Sequence, residues 1–368
     1  MKKSIKLNNL IIILAAVTLV LQSCKKSVDY IAFNGNIYTV NDNFDTVSAF
    51  AVKNGKFIDV GNNEILSKYK TEEKIDLNGS TVLPGLIDAH CHFYGLGLNQ
   101  SVIDLTGTNS FNEILEKISK SDSKNIIRGR GWDQNDWEVK EFPNKTKLDV
   151  LYPQTPVVLE RIDGHAYLVN QKALDIAGID INTKSNNGTV LTKKGRLTGV
   201  LIDGPMSLID KAFGEVSLDD KINALLSAQE ICFKHGLTTV DDAGLSKDVI
   251  LLIDSLQKRK SLKMRVYAMI SNLENDVNYF IENGPIKTNS LNVRSVKVYG
   301  DGALGSRGAT LKEPYSDDIH NYGKLVTDVE SIKILAKKLS EANFQMNTHA
   351  IGDSTVNILI KAYSKVLE

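Results

Sequence analysis

Six histidines occur in the chain, and two of them flank one cysteine in Pro84-Gly85-Leu86-Ile87-Asp88-Ala89-His90-Cys91-His92. Residues two apart on a strand point to the same side. Two neutral imidazoles projecting together from a strand end, His90 and His92, can bind one metal ion. An isolated His-X-His also describes two hydrogen-bonded loop histidines. Here the Pro-Gly pair, the apolar run and Asp88 in register with both histidines favour ligation. Cys91 points the other way and reads as core. The second candidate is Lys297, in Val296-Lys297-Val298-Tyr299-Gly300-Asp301-Gly302. By alternation Val296 and Val298 face outer helices, and Lys297 points inward, where an unpaired ammonium is costly. Two readings fit: a salt bridge to Asp301 or Asp241, which bare spacing favours, or a lysine made anionic by CO2 that bridges two metals. His349, in Asn347-Thr348-His349-Ala350-Ile351-Gly352-Asp353, again ends an apolar run before a helix. His165, in Arg161-Ile162-Asp163-Gly164-His165, does the same. It can bind substrate or transfer a proton, or be a hydrogen-bonded loop residue. Trp132 and Asp133 follow another strand candidate and are expected to line the pocket, although packing also suits the Trp. His235 and His320 carry no assignment.

The elements that must position these groups follow a βα grammar. Apolar runs at residues 81–87, 125–129, 156–161, 237–241, 264–270, 295–299 and 344–348 alternate with amphipathic stretches. The latter predict helices over residues 110–120, 218–235, 249–260, 274–283, 329–342 and 354–367. Strand C-termini on one rim are where a parallel barrel delivers functional groups. Residues 174–213 break the alternation and read as an inserted loop or hairpin over one end. Before the barrel, residues 30–76 read as short β-strands, with Asn54-Gly55 as a hairpin turn.

The bulk properties narrow the class. Lys plus Arg (44) equals Asp plus Glu (44), which argues against a nucleic-acid partner. Three cysteines, Cys24, Cys91 and Cys232, form neither a disulfide framework nor a cysteine-zinc knot. Lys2, Lys3 and Lys6 precede an apolar run of about a dozen residues, too short for a membrane span. The run ends in Leu21-Gln22-Ser23-Cys24, which resembles a lipobox, with Cys24 as the lipidated residue. The expected location is the bacterial cell envelope, on the periplasmic side of the outer membrane. A lipid anchor is the only membrane contact expected, and the partner is a small-molecule substrate.

Residues 37–55, followed by Val82-Leu83-Pro84-Gly85 through His92, resemble the start of the amidohydrolase superfamily. Gly131-Trp132-Asp133, Asp163-Gly164-His165 with Val169-Asn170, Gly236-Leu237-Thr238-Thr239-Val240, residues 297–307 and His349-Ala350-Ile351-Gly352-Asp353 resemble its amidohydrolase-3 branch. That branch includes YtcJ-like proteins and N-substituted formamide deformylases. The resemblance covers nearly everything after Tyr30. It implies a distorted (β/α)8 TIM-like barrel plus a β-sandwich, with one or two divalent metals, usually zinc. The implied reaction is hydrolysis of an amide-like, non-peptide C–N bond by metal-activated water. His90 and His92 match the first ligands, Lys297 the carboxylated bridging lysine and His349 the next histidine. His165 and Asp301 match catalytic pocket positions. The family continues with a strand bearing another histidine and a later one bearing the aspartate that shuttles protons, whereas this sequence stops at Glu368. The expectation is therefore an incomplete α/β barrel over residues 81–368, a β-sandwich portion over 25–80 and a leader over 1–24, with the activity of this chain open. The alternative is a non-catalytic metal- or ligand-binding lipoprotein derived from such an enzyme.

Overall fold

A computed structural model describes residues 25–120, 125–214 and 216–367. The leader and Cys24 lie outside the described residues. Among the described residues no helix is long and apolar enough to cross a membrane. The described residues divide into two compact units, one up to Leu86 and one from Ile87.

The first unit is β-structure. One sheet has the order Lys56–Gly61, Ala49–Lys53, Tyr30–Phe33, Glu73–Asp76, and a smaller one Thr46–Val47, Asn36–Tyr38, Thr81–Val82. Asn54 and Gly55 both have positive φ (52° and 70°), as a two-residue hairpin turn requires. Val28, Ile31, Ala49, Ala51 and Ile65 form the buried core of this unit.

The second unit holds two sheets. The strands of the first are β1 (Leu86–Cys91), β8 (Leu237–Leu245), β9 (Arg265–Ser271), β11 (Leu291–Tyr299) and β12 (Gln345–His349), hydrogen-bonded in that order. A short strand β10 (Ile286–Lys287) pairs antiparallel with β11. From β8 to β12 all the neighbours run parallel. This is a half-barrel, an open sheet whose edges are β1 and β12. Helices α3 (Leu218–Lys234), α4 (Lys247–Lys258) and α5 (Glu274–Asn283) follow the βα alternation, as does α6 (Val329–Glu341). Val240, Val266, Ile270, Val296 and Val298 pack with Leu225, Ile250 and Ile253 of the helices in the largest buried cluster. The valines beside Lys297 thus face the helices, as alternation predicts.

The second sheet corrects the sequence reading. Its strands β2 (Ile103–Asp104), β3 (Ile127–Trp132), β4 (Val157–Arg161), β5 (Ala166–Val169), β6 (Gly188–Lys193) and β7 (Arg196–Asp203) have the order β2-β3-β4-β5-β7-β6. The apolar runs at residues 125–129 and 156–161 are therefore not barrel strands. They belong to an insertion between β1 and β8 that is far larger than residues 174–213. The confusion has a physical cause: β2, β3 and β4 are themselves parallel, with α2 (Phe111–Ser119) between β2 and β3. Local patterning is thus the same as in the barrel. Ser110 caps α2, its hydroxyl accepting from the Glu113 N–H, while the Glu113 carboxylate accepts from the Asn109 N–H. Ile114 and Ile118 of α2 are buried with Leu105, Ile127, Trp132 and Leu159 in a separate core.

Candidate functional site

Within the second unit, His90 and His92 stand on the exposed end of β1, their ring centroids 6.1 Å apart. The Asp88 carboxylate accepts from the His90 N–H at 3.2 Å. Directly after His92 the chain turns into α1 (Phe93–Leu98), whose first N–H groups receive no cap from His92. Asp242, on neighbouring β8, supplies one: its carboxylate accepts from the Tyr94 N–H at 2.9 Å and from that of Phe93. Burial raises the Asp242 pKa to about 7, against the pull of these two N–H groups. Gly97 lets α1 lie against α3, because a Cβ there would sit 1.9 Å from the Ala224 carbonyl oxygen. The His-X-His turn is thus clamped from both sides. Cys91 packs on the core as expected, and burial, with Asp242 and Asp88 nearby, pushes its thiol up to about 12. It is neither a nucleophile nor a thiolate ligand at neutral pH.

Lys297 projects from β11 to the face of the half-barrel opposite the helices. It is only 4% exposed. Among the described residues its amine has no hydrogen-bond or ion-pair partner, and it stands over the Tyr299 ring, 5.2 Å from the centroid. Burial pushes its pKa down. The salt-bridge reading is not what forms. Asp301 is fully buried, and its carboxylate is occupied by the N–H groups of Thr310 (2.8 Å), Ile351 (2.9 Å) and Gly352 (2.8 Å) and the Thr355 hydroxyl (2.8 Å). This arrangement ties together the loops after β11 and β12, a positioning geometry rather than that of a free acid. Asp241 lines the same open cavity as Lys297, of about 630 Å³, with His90, Met269, Asn347 and His349. Burial and the nearby Asp88 raise its pKa.

His349 ends β12, with Nε2 3.1 Å from the Gly302 carbonyl oxygen, so Nε2–H donates and Nδ1 keeps its lone pair. Burial lowers its pKa, helped by His165 and Lys297; burial also lowers that of His92, helped by Lys297 and His90. Both shifts favour the neutral imidazole, the form that ligates a cation. His165 approaches from the second sheet. Gly164 (φ 75°) turns the chain after β4, and the Asp163 carboxylate accepts from the His165 N–H at 3.1 Å. The His165 ring lies 5.1 Å from that of His349 and 6.2 Å from that of Tyr299. Its Nδ1 is 2.6 Å from an oxygen of Asp203 at the end of β7. Burial alone would lower the pKa of His165, but the hydrogen bond and charge of Asp203 outweigh it and raise the value.

The structure therefore brings His165, Tyr299, Lys297 and His349 to one rim, while His90, from the opposite edge strand, lines the same cavity as Lys297 and His349 and His92 follows it. Asp203 escaped the sequence reading, although an acid closing an alternating strand just before Gly204-Pro205 was a usable signal. Trp132 and Asp133 do not line the cavity. The Trp132 indole N–H donates to the Leu159 carbonyl at 2.9 Å inside the second core, and Asp133 forms an ion pair with buried Arg161. A strand-end Trp-Asp looks the same in sequence whether it faces a ligand or a neighbouring strand. Among the described residues no three His, Cys, Asp or Glu side chains converge closely enough to hold a metal ion. Lys297, His90 and His349 nevertheless line one cavity, and the Lys297 charge acts on both His92 and His349.

A family model described as the amidohydrolase family matches residues 73–368. The putative amidohydrolase YtcJ of Bacillus subtilis is 34% identical over 347 residues, covering 90% of this chain and 65% of that protein. Protein LONG AFTER FAR-RED 3 of Arabidopsis thaliana is 30% identical over 359 residues, covering 92% of this chain and 61% of its own length. The chain thus spans less than two thirds of the length of these curated relatives. The crystal structure of an uncharacterized metal-dependent hydrolase from Pyrococcus horikoshii is similar at a TM-score of 0.69 and 26% identity, covering 91% of this chain and 68% of that one. With a half-barrel that carries His-X-His at the end of β1, a lysine on β11 and a histidine at the end of β12, and a family match over most of its length, this chain belongs to the amidohydrolase family.

Proposed function

We propose that this chain carries the first metal-binding strands of a hydrolase that cleaves an amide-like C–N bond in a small molecule. The observation that carries the reading is Lys297, a buried amine without a hydrogen-bond or ion-pair partner among the described residues, placed in an open cavity with the imidazoles of His90 and His349. Such an amine is stabilised by CO2 addition, which makes it an anionic oxygen donor. His90, His92, carboxylated Lys297 and His349 would then hold one or two divalent ions, with zinc suited to the imidazole-rich set. A cation bound there supplies Lewis acidity that polarises a carbonyl and makes water more acidic. His165 faces the same rim and is placed to hold a substrate or move a proton at Nε2. The Tyr299 ring lies 5.2 Å from the Lys297 amine, 6.2 Å from the His165 ring and 5.6 Å from the His349 ring. Asp301 keeps the loops after β11 and β12 in register with the site. The resemblance to N-substituted formamide deformylases supports formamides as the first substrates to try. The Leu21–Cys24 motif supports a lipid anchor in the envelope.

The test is zinc binding by the purified chain in bicarbonate, followed by hydrolysis of N-substituted formamides. Zinc retained by the wild type and lost in Lys297→Met and His90→Ala supports the site. Formamide turnover that falls with the metal supports the reaction. Equal zinc in all three proteins would overturn the ligand set, and metal binding without turnover on any amide would favour the binding-module alternative.

A further inference from the structure

We infer that Asp203 is a positioning residue for His165: it fixes the imidazole in one orientation and one tautomer, Nδ1–H toward Asp203, and presents Nε2 to the rim beside His349 and Tyr299. The geometry carries this in four ways. The Asp203 carboxylate lies 2.6 Å from Nδ1, with both side chains largely shielded from water (12% and 6% exposed). The Asp203 N–H also donates to the His165 carbonyl at 3.1 Å, so the pair is joined through backbone as well as side chain. Asp203 adopts φ 56°, a left-handed conformation that a residue with a side chain takes at a cost. Finally, the loop after β11 makes room for the carboxylate. A Cβ at Gly302 or at Gly308 would each lie 2.5 Å from Asp203 Oδ2. A strained backbone and two glycines converging on one carboxylate mark a site built around that contact.

A second consequence concerns the insertion. Its sheet supplies both members of the pair, from the turn between β4 and β5 and from the end of β7, whereas His349 and Tyr299 come from the half-barrel. The insertion therefore contributes a polar group to the rim instead of only covering it. A neutral histidine whose Nδ1–H is donated keeps its lone pair on Nε2, and which nitrogen carries the proton is set by the partner of the other. Any catalytic use of that nitrogen rests on the hydrolase reading; the tautomer itself does not.

The experiment is nitrogen-15 NMR of the imidazoles in histidine-labelled protein at alkaline pH, without metal or substrate. With six histidines in the chain, His165→Gln assigns the His165 signals. The expected result is the Nδ1–H form in the wild type, with a strongly deshielded proton. In Asp203→Ala that proton signal disappears and the Nε2–H form dominates. Asp203→Asn, which keeps an acceptor oxygen, restores the Nδ1–H form. A wild-type His165 in the Nε2–H form would overturn the inference by itself, even if the alanine variant failed to fold. So would an unchanged tautomer in folded Asp203→Ala. Because neither readout involves zinc or turnover, failure here is distinct from failure of the metal site.

Discussion

Lys297 and Asp242 are both ionisable groups buried at an energetic cost, and the signs of their effects can be worked out. Lys297 has a lowered pKa in the folded chain, so the unfolded chain binds more protons below the ordinary lysine range. Its penalty is greatest at neutral and acidic pH and fades as pH rises toward 10.5. Lys297→Met removes an unpaired buried amine from a site with room for a thioether. It should stabilise the metal-free fold by ~1–2 kcal/mol, read by denaturant unfolding, while abolishing zinc retention. A variant less stable than the wild type would show that the amine has a compensating partner. Asp242 behaves in the opposite sense. Its folded pKa of about 7 lies above the ordinary 3.8, so the native state holds more protons and stability falls as pH rises between those values. Asp242→Asn should flatten that slope relative to the wild type in unfolding curves taken from pH 4 to 8, and parallel slopes would refute it. The places of His90, His92 and His349 were legible because strand ends announce themselves through an apolar run and a following helix, and the inward side of Lys297 because its valine neighbours alternate with it. The state of Lys297 was not, because spacing cannot say whether Asp301 is already occupied.

At the level of elements, alternation located the long strands and helices of the half-barrel, with β3, β4 and α2, but missed β2, β5, β10 and the shorter helices, left β6 and β7 as a loop or hairpin, and could not give the sheet to which each strand belongs. β4 carries the same kind of apolar run as β9, and only long-range pairing separates them. The same limit hid Asp203, whose partner lies 38 residues earlier in the chain. The loops after β11 and β12 are joined chiefly through Asp301, which accepts from three backbone N–H groups and one hydroxyl. Asp301→Ala would leave these donors buried and unsatisfied and should cost about 3 kcal/mol or more. Hydrogen exchange should accelerate at Ile351 and Gly352 first. Asp301→Asn, which retains one acceptor oxygen, should lose less. Equal losses in the two variants would mean that the aspartate acts through its charge alone.

At the level of the whole molecule, β1 and β12 are open edges, and Ile87 on β1 is 65% exposed. Unpaired strand edges invite pairing with other chains. A polypeptide of residues 25–368 should associate with rising concentration in sedimentation experiments, and Ile87→Lys should weaken that association. A monomer over a wide concentration range would show that the edges are protected. The insertion has a further consequence, for the order in which the molecule assembles. Tyr94, in α1 just after β1, and Asp242 on β8 are hydrogen-bonded yet are 148 residues apart in sequence. Closing so long a loop is entropically costly unless the intervening sheet has already condensed around its own core. The segment with the first two histidines should therefore dock last in refolding, after β8, β9 and β11 have paired. Pulse-labelled hydrogen exchange would then show β1 gaining protection in the slowest phase, and metal uptake would report the final step of folding.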